Sequence, residues 1–170
     1  MINSENPLGT AKDLNSNEVE PLKIILAEDD KDDQDLFVEA LTATNVPSEI
    51  TTVENGEQLI SVLKDEDEPK PDLIFIDINM PVKGGKETLA EIKSDSELKD
   101  IPAVMLSTSN HPGDIEDTFN KGADLYIQKP NSFAGFILIL KKVFLLHWTK
   151  VLLNPVKNLF FVSEKNISQD

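Results

Sequence analysis

The chain has 170 residues, enough for one domain with a well-buried core and too few for a second once its polar ends are set aside. Its 31 acidic residues outnumber 16 basic ones, all of them lysine, for a formal charge of -15; nucleic acid and anionic membrane are repelled, and arginine's planar fork for phosphate or guanine is missing. The absence of cysteine excludes a disulfide framework, a Cys-ligated zinc site and thiol catalysis, and fits a reducing cytoplasm.

Residues 1–20 are polar, contain proline and glycine, and carry no apolar core of signal-peptide length; they read as a flexible tail before a domain spanning 21–153. Short apolar runs then alternate with amphipathic stretches: LKIILA, DDQDLFVEALTAT, EITTV, GEQLISVLKD and DLIFID. The rhythm continues through GGKETLAEIKSD, IPAVMLS, GDIEDTFNKG and ADLYIQ to a long apolar stretch from Ser132 to about Leu153. Five strand–helix pairs of this kind predict an α/β fold with a five-stranded, doubly wound parallel sheet. Strands expected at 22–27, 73–77 and 102–106 are continuously apolar, as helices on both faces require, whereas 49–53 is more polar and belongs at an edge. Pro69, Pro71 and Pro102 punctuate strand starts, and Gly122 follows the fourth helix where a left-handed cap is favoured.

In open sheets of this type the functional crevice lies beyond the carboxyl ends of the strands. Those ends carry Glu28-Asp29-Asp30, Asp77 followed by Asn79, Ser107-Thr108, and Lys129-Pro130. Several carboxylates in one crevice repel each other unless a cation intervenes, and a hard, oxygen-preferring ion such as Mg2+ answers that need, with Asp29 and Asp77 as direct ligands. A carboxylate can also act as a nucleophile toward a phosphoryl group; metal, the Lys129 ammonium and the Ser107 hydroxyl would then surround the transferred charge. Asp30, Asp32 and Asp33 are read as first-turn helix acids rather than ligands. His111 is expected to begin a helix and His147 to sit on the last one, both too isolated for metal binding.

ILAEDD, IFIDINMP with the following Gly85, VMLSTS and YIQKP, in this order, resemble the receiver domains of two-component response regulators, including the small chemotaxis and phytochrome-partner types. The resemblance covers about residues 22–148. It implies a flavodoxin-like receiver fold with strand order 2-1-3-4-5, Asp77 as phosphoacceptor, Asp29 as direct metal ligand, Glu28 as a ligand through water and Asn79 as a ligand through its backbone carbonyl. It also implies that Lys129 contacts the phosphoryl oxygens and that Ser107 and Tyr126 form the switch pair, and in the family the bond before the proline at Pro130 is often cis, which would aim the lysine. Glu28 replaces the commoner Asp, and Thr108 stands where a smaller residue is usual, which bears on how fast water reaches the phosphoryl group. For Tyr126, plain strand packing stands beside the switch role.

The expected function is therefore that of a stand-alone response regulator, not a conventional enzyme, which is phosphorylated by a histidine kinase or phosphotransfer protein and signals through protein contacts. A phosphorylation-independent interaction module and an aspartate-nucleophile phosphohydrolase are the alternatives; Asn79 stands where the hydrolase needs its general acid/base. The last helix, FAGFILILKKVFLLHWTKVLL, is apolar over much of its circumference, so either the C-terminal extension at 154–170 folds back over it or it forms a homodimer or partner interface. Lys141, Lys142 and His147 argue against a transmembrane span.

Overall fold

A computed structural model describes residues 20–146 and 160–167. The strands are β1 (Leu22–Ala27), β2 (Ser48–Val53), β3 (Leu73–Asp77), β4 (Ala103–Ser107), β5 (Leu125–Gln128) and β6 (Phe161–Val162). The helices are α1 (Lys31–Ala43), α2 (Gly56–Lys64), α3 (Gly85–Ser94), α4 (Pro112–Asn120), α5 (Phe133–Leu145) and the short α6 (Glu164–Ile167). All strands are parallel, in the order β2-β1-β3-β4-β5-β6. The expected five-strand order is its core, and the sixth strand lies outside the sequence expectation.

Alternation along each strand sends side chains to opposite faces and so divides the core into two layers. Ile24, Leu26, Leu73 and Phe75 meet Phe37 and Leu41 of α1 and Phe136, Ile139, Leu140 and Val143 of α5. Ile25, Ala27, Ile74 and Ile76 meet Leu59 and Leu63 of α2, Leu89 and Ile92 of α3, and the partly buried Ile115 and Phe119 of α4. Central β3 and β4 are buried along their whole length, while β2 exposes Glu49, Thr51 and Thr52 at the edge, as its polarity predicts. β4 begins one residue later than expected, at Ala103, because Pro102 has no N–H for the ladder and contributes only its carbonyl, to Ile74 N.

Local signals set the helix ends. Asp30 accepts from the N–H groups of Asp32 and Asp33, Asn55 from Gln58, His111 Nδ1 from Gly113 and Ser132 from Gly135, so each of these helices starts on a capping side chain. Gly122, after α4, adopts φ +91°, as expected for a left-handed cap. α5 buries Phe136, Ile139, Leu140 and Val143 on its inner face. Residues 147–153 and His147, placed on this helix by the sequence, lie outside the described residues, as does the tail at 1–19. Beyond them, Phe160 is buried, β6 pairs with β5, and α6 packs on α5 through the buried Ile167. Part of the C-terminal extension thus packs against α5, while Leu138 and Leu145 of this helix remain exposed.

Candidate functional site

The carboxyl ends of β1, β3, β4 and β5 converge. β1 runs out at Ala27, so Glu28 is buried and Asp29 exposed at the start of the following loop. β3 ends on Asp77, which is only 5% exposed. Oxygens of Glu28, Asp29 and Asp77 lie within 4.8 Å of one another. Lys129, just past β5, reaches into the same place: its Nζ lies 2.7 Å from Glu28 Oε2, 2.7 Å from Asp33 Oδ2 and 3.0 Å from Asp77 Oδ1.

Backbone geometry fixes the acids. Asn79 N–H donates to Asp77 Oδ2 (2.9 Å), which leaves Oδ1 to the ammonium. Ile78 N–H donates to Leu106 O (3.0 Å), continuing the ladder one residue past the strand end. Gly85 N–H donates to Ile78 O, and a Cβ on Gly85 would stand 2.1 Å from Asp77 O; any side chain there would push the acid's backbone out of place. Asp30 N–H donates to Glu28 Oε1 (3.2 Å), and the buried Gln34 amide donates to Glu28 O (2.6 Å).

The electrostatics are those of a crowded acidic crevice. Burial pushes the carboxyls of Glu28 and Asp77 above their ordinary values; the Lys129 ammonium works against this and does not cancel it. Burial pulls on Lys129 in the same sense, toward its neutral form, but the hydrogen bonds it donates to Asp33 and Glu28 and the Asp77 charge more than reverse it, so its pKa is raised. Four carboxylates thus face one ammonium, leaving excess negative charge and an all-oxygen donor set. That set fits a hard divalent ion.

The remaining expected residues stand on the strands and loops around the crevice. Ser107 is buried at the end of β4, and its Oγ accepts from Ser109 N–H (3.0 Å). Ser107 O accepts from Lys129 N–H (2.7 Å), which ties the two loops together. Tyr126 is fully buried in β5, and its hydroxyl donates to Ser109 O (2.8 Å), so strand packing and a link to the β4–α4 loop hold at once. Asn79 and Thr108 are exposed at the rim. One expectation needs correction. The peptide before Pro130 is trans, not cis; trans is the lower-energy form even for an X-Pro bond, and three carboxylates suffice to orient the lysine. Asp33 is the first-turn helix acid expected and lies outside the metal-ligating group, but its hold on Lys129 was missed. Gln34 was also missed, although a glutamine on the apolar face shared with Phe37 and Leu41, at i+3 and i+7, was a usable signal.

A family model of the response regulator receiver domain matches residues 24–141. The chain is similar to response regulator Rcp1 of Synechocystis sp., 36% identical over 133 residues that span 75% of this chain and 90% of Rcp1. It is 31% identical over 121 residues to the polar-differentiation response regulator DivK of Brucella anthropi, across 71% of this chain and 94% of DivK. Among solved structures it resembles the phosphorylated cyanobacterial phytochrome response regulator RcpA, with 40% identity and a TM-score of 0.67 over 72% of this chain and 91% of that one. The Mn2+-bound form of Rcp1 matches at 30% identity and a TM-score of 0.68, over 77% and 97% of the two chains.

Proposed function

The chain belongs to the response regulator receiver domain family, a component of two-component signalling, and from that premise we propose that it takes a phosphoryl group onto Asp77 from a histidine kinase or phosphotransfer protein. The observation that carries this is the placement of Asp77: buried at the end of a central strand, one oxygen held by a backbone N–H and the other beside the Lys129 ammonium. In the transfer, a carboxylate oxygen of Asp77 attacks phosphorus and forms the acyl phosphate. The phosphorus–nitrogen bond of the donor phosphohistidine breaks, and its electron pair stays on the imidazole, whose other nitrogen carries the compensating proton.

Lys129 follows the charge, exchanging Glu28 and Asp33 for phosphoryl oxygens, and the Ser107 hydroxyl turns from Ser109 to donate to the same group. Glu28, Asp29, Asp77 and the backbone carbonyl of Asn79 would hold Mg2+, directly or through water, and the ion would neutralise charge on the acids and the transferring oxygens. The Mn2+-bound form of Rcp1 supports a divalent ion at an acidic pocket of this kind. With Asn79 in place of a general acid/base two residues after the nucleophile, the reading is of a switch rather than a turnover enzyme.

Output then passes through protein contacts, in a cytoplasmic setting where phosphohistidine donors are charged by ATP. Exposed Leu138 and Leu145 on α5 support a contact with a second copy through this helix. Among the described residues no helix is long and apolar enough to cross a membrane.

The test is intact mass after incubation with Mg2+ and acetyl phosphate. One phosphoryl adduct is expected in the wild type, none in Asp77→Asn and none with chelator. An adduct that persists in Asp77→Asn, or none in the wild type under conditions that preserve acyl phosphates, would overturn the assignment.

A further inference from the structure

Lys129 is held by three carboxylates of two kinds. Glu28 and Asp77 belong, with Asp29, to the group whose oxygens converge within 4.8 Å, and Asp33 does not. Glu28 and Asp77 cannot serve the ammonium and a divalent ion at full strength together. Both acids are also fixed in place. The Gln34 amide donates to Glu28 O at 2.6 Å and Asp30 N–H donates to Glu28 Oε1, while Asn79 N–H donates to Asp77 Oδ2. When these acids change partners, the group free to move is the ammonium on its flexible four-carbon stem.

Asp33 gives that ammonium a place to go. It stands in the first turn of α1, where its backbone N–H is bound by the Asp30 cap, and its Oδ2 already lies 2.7 Å from Lys129 Nζ. Lys129 and Asp33 both line a cavity of about 170 Å3 walled by Leu36 and Phe37 of α1 and Phe136 of α5. Apolar walls keep water from one side of the pair, which makes it stronger than an ordinary surface ion pair. We infer that Asp33 is a positioning residue for the metal site: it is the seat that keeps Lys129 in the crevice while Glu28 and Asp77 turn to the cation. The inference rests on the reading that Glu28, Asp29 and Asp77 hold a divalent ion, and goes beyond it by giving a residue outside the ligand group a part in metal affinity. With Asp33 present, the ammonium yields two carboxylates and retains a third. Without it, the ammonium must yield both of its remaining carboxylates at once, and that loss weakens cation binding.

The test is a Mg2+ titration of the full chain, followed by the backbone amide resonances of residues 77–79 and 129, in single and double variants. Asp33→Asn should weaken Mg2+ binding about fivefold in the wild-type background and less than about twofold once Lys129→Met has removed the ammonium, a non-additivity that a general loss of negative charge does not produce. Asp35→Asn removes the same charge from the same helix at a residue paired with Lys31, and should stay within about twofold of wild type. Asp33→Glu, which restores the carboxylate, should recover most of the lost affinity. Equal weakening by Asp33→Asn with and without the ammonium would overturn the inference and leave the metal site standing, and so would wild-type affinity in Asp33→Asn. A Mg2+ response that is absent in wild type, or that survives Asp29→Asn unchanged, would overturn the metal site itself, and the inference falls with it.

Discussion

Phe75 and Asp77 are two residues apart on the same central strand, almost equally buried, and held in opposite ways. Phe75 is enclosed by apolar neighbours and packs edge-on against Phe37 at 4.8 Å, so its burial is itself the stabilisation. Asp77 shares its surroundings with Glu28 and Asp29, and its burial penalises the charged form that the proposed transfer requires. The middle of the sheet thus supplies the stability that its carboxyl end spends on keeping charge ready for an incoming group.

The largest expected effect comes from emptying the apolar side of that pair. Phe75→Ala should cost about 3–5 kcal/mol in chemical denaturation, while the fraction that stays folded still takes the phosphoryl adduct; loss of the adduct in folded protein would mean that core and crevice are not separable. Lys129→Met keeps the volume and strands three carboxylates without their cation, and a loss of about 3 kcal/mol is expected in chelator. Mg2+ should recover part of that loss, since any ligand bound only by the folded state stabilises it.

Asp77→Asn should act in the other direction, raising metal-free stability at neutral pH by about 1 kcal/mol. The sign follows from the raised pKa in the folded state. Relative to the unfolded chain, folding favours the protonated acid, so the benefit is complete below the ordinary carboxylate pKa of about 4 and is lost as pH rises through the raised value. Wild type and variant should therefore coincide in melting temperature near the acid end and separate toward pH 7, the variant being higher. A variant that is less stable at pH 7 would show that the Lys129 ion pair outweighs desolvation. Glu91, Asp114 and Asp117, held below the usual carboxylate range by hydrogen bonds from Lys83, Lys86 and Lys121 respectively, contribute with the opposite sign, losing stability as pH falls.

What the sequence made legible follows the same division. β1 and β3 are continuous apolar runs and stand at the residues expected, and the polar β2 stands at an edge. Glu28, Asp29, Asp77, Ser107 and Lys129 were expected together because a parallel sheet gathers its strand ends; the side chains of the three acids and the lysine meet there, and Ser107 is tied to Lys129 through its backbone carbonyl. Less legible were contacts that depend on side-chain reach. Asp33 satisfies every rule for a first-turn helix acid, and only the position of Lys129 across the crevice gives it a partner. β6 has two residues, too few for any periodicity, and exists because Phe160 and Phe161 find Tyr126 more than thirty positions away.

The bond from Ile78 N–H to Leu106 O has a chemical consequence for the lifetime of the polypeptide itself. An aspartyl carboxyl turned into an acyl phosphate is an activated ester equivalent, and the nearest internal nucleophile is the amide nitrogen of the next residue, whose attack closes a succinimide and later yields isoaspartate. At this position that nitrogen is engaged in the ladder, and it belongs to a β-branched residue that is itself buried and cannot swing into line. If Asp77 takes the phosphoryl group as proposed, the same hydrogen bond that extends the sheet by one residue protects the backbone from this ageing reaction.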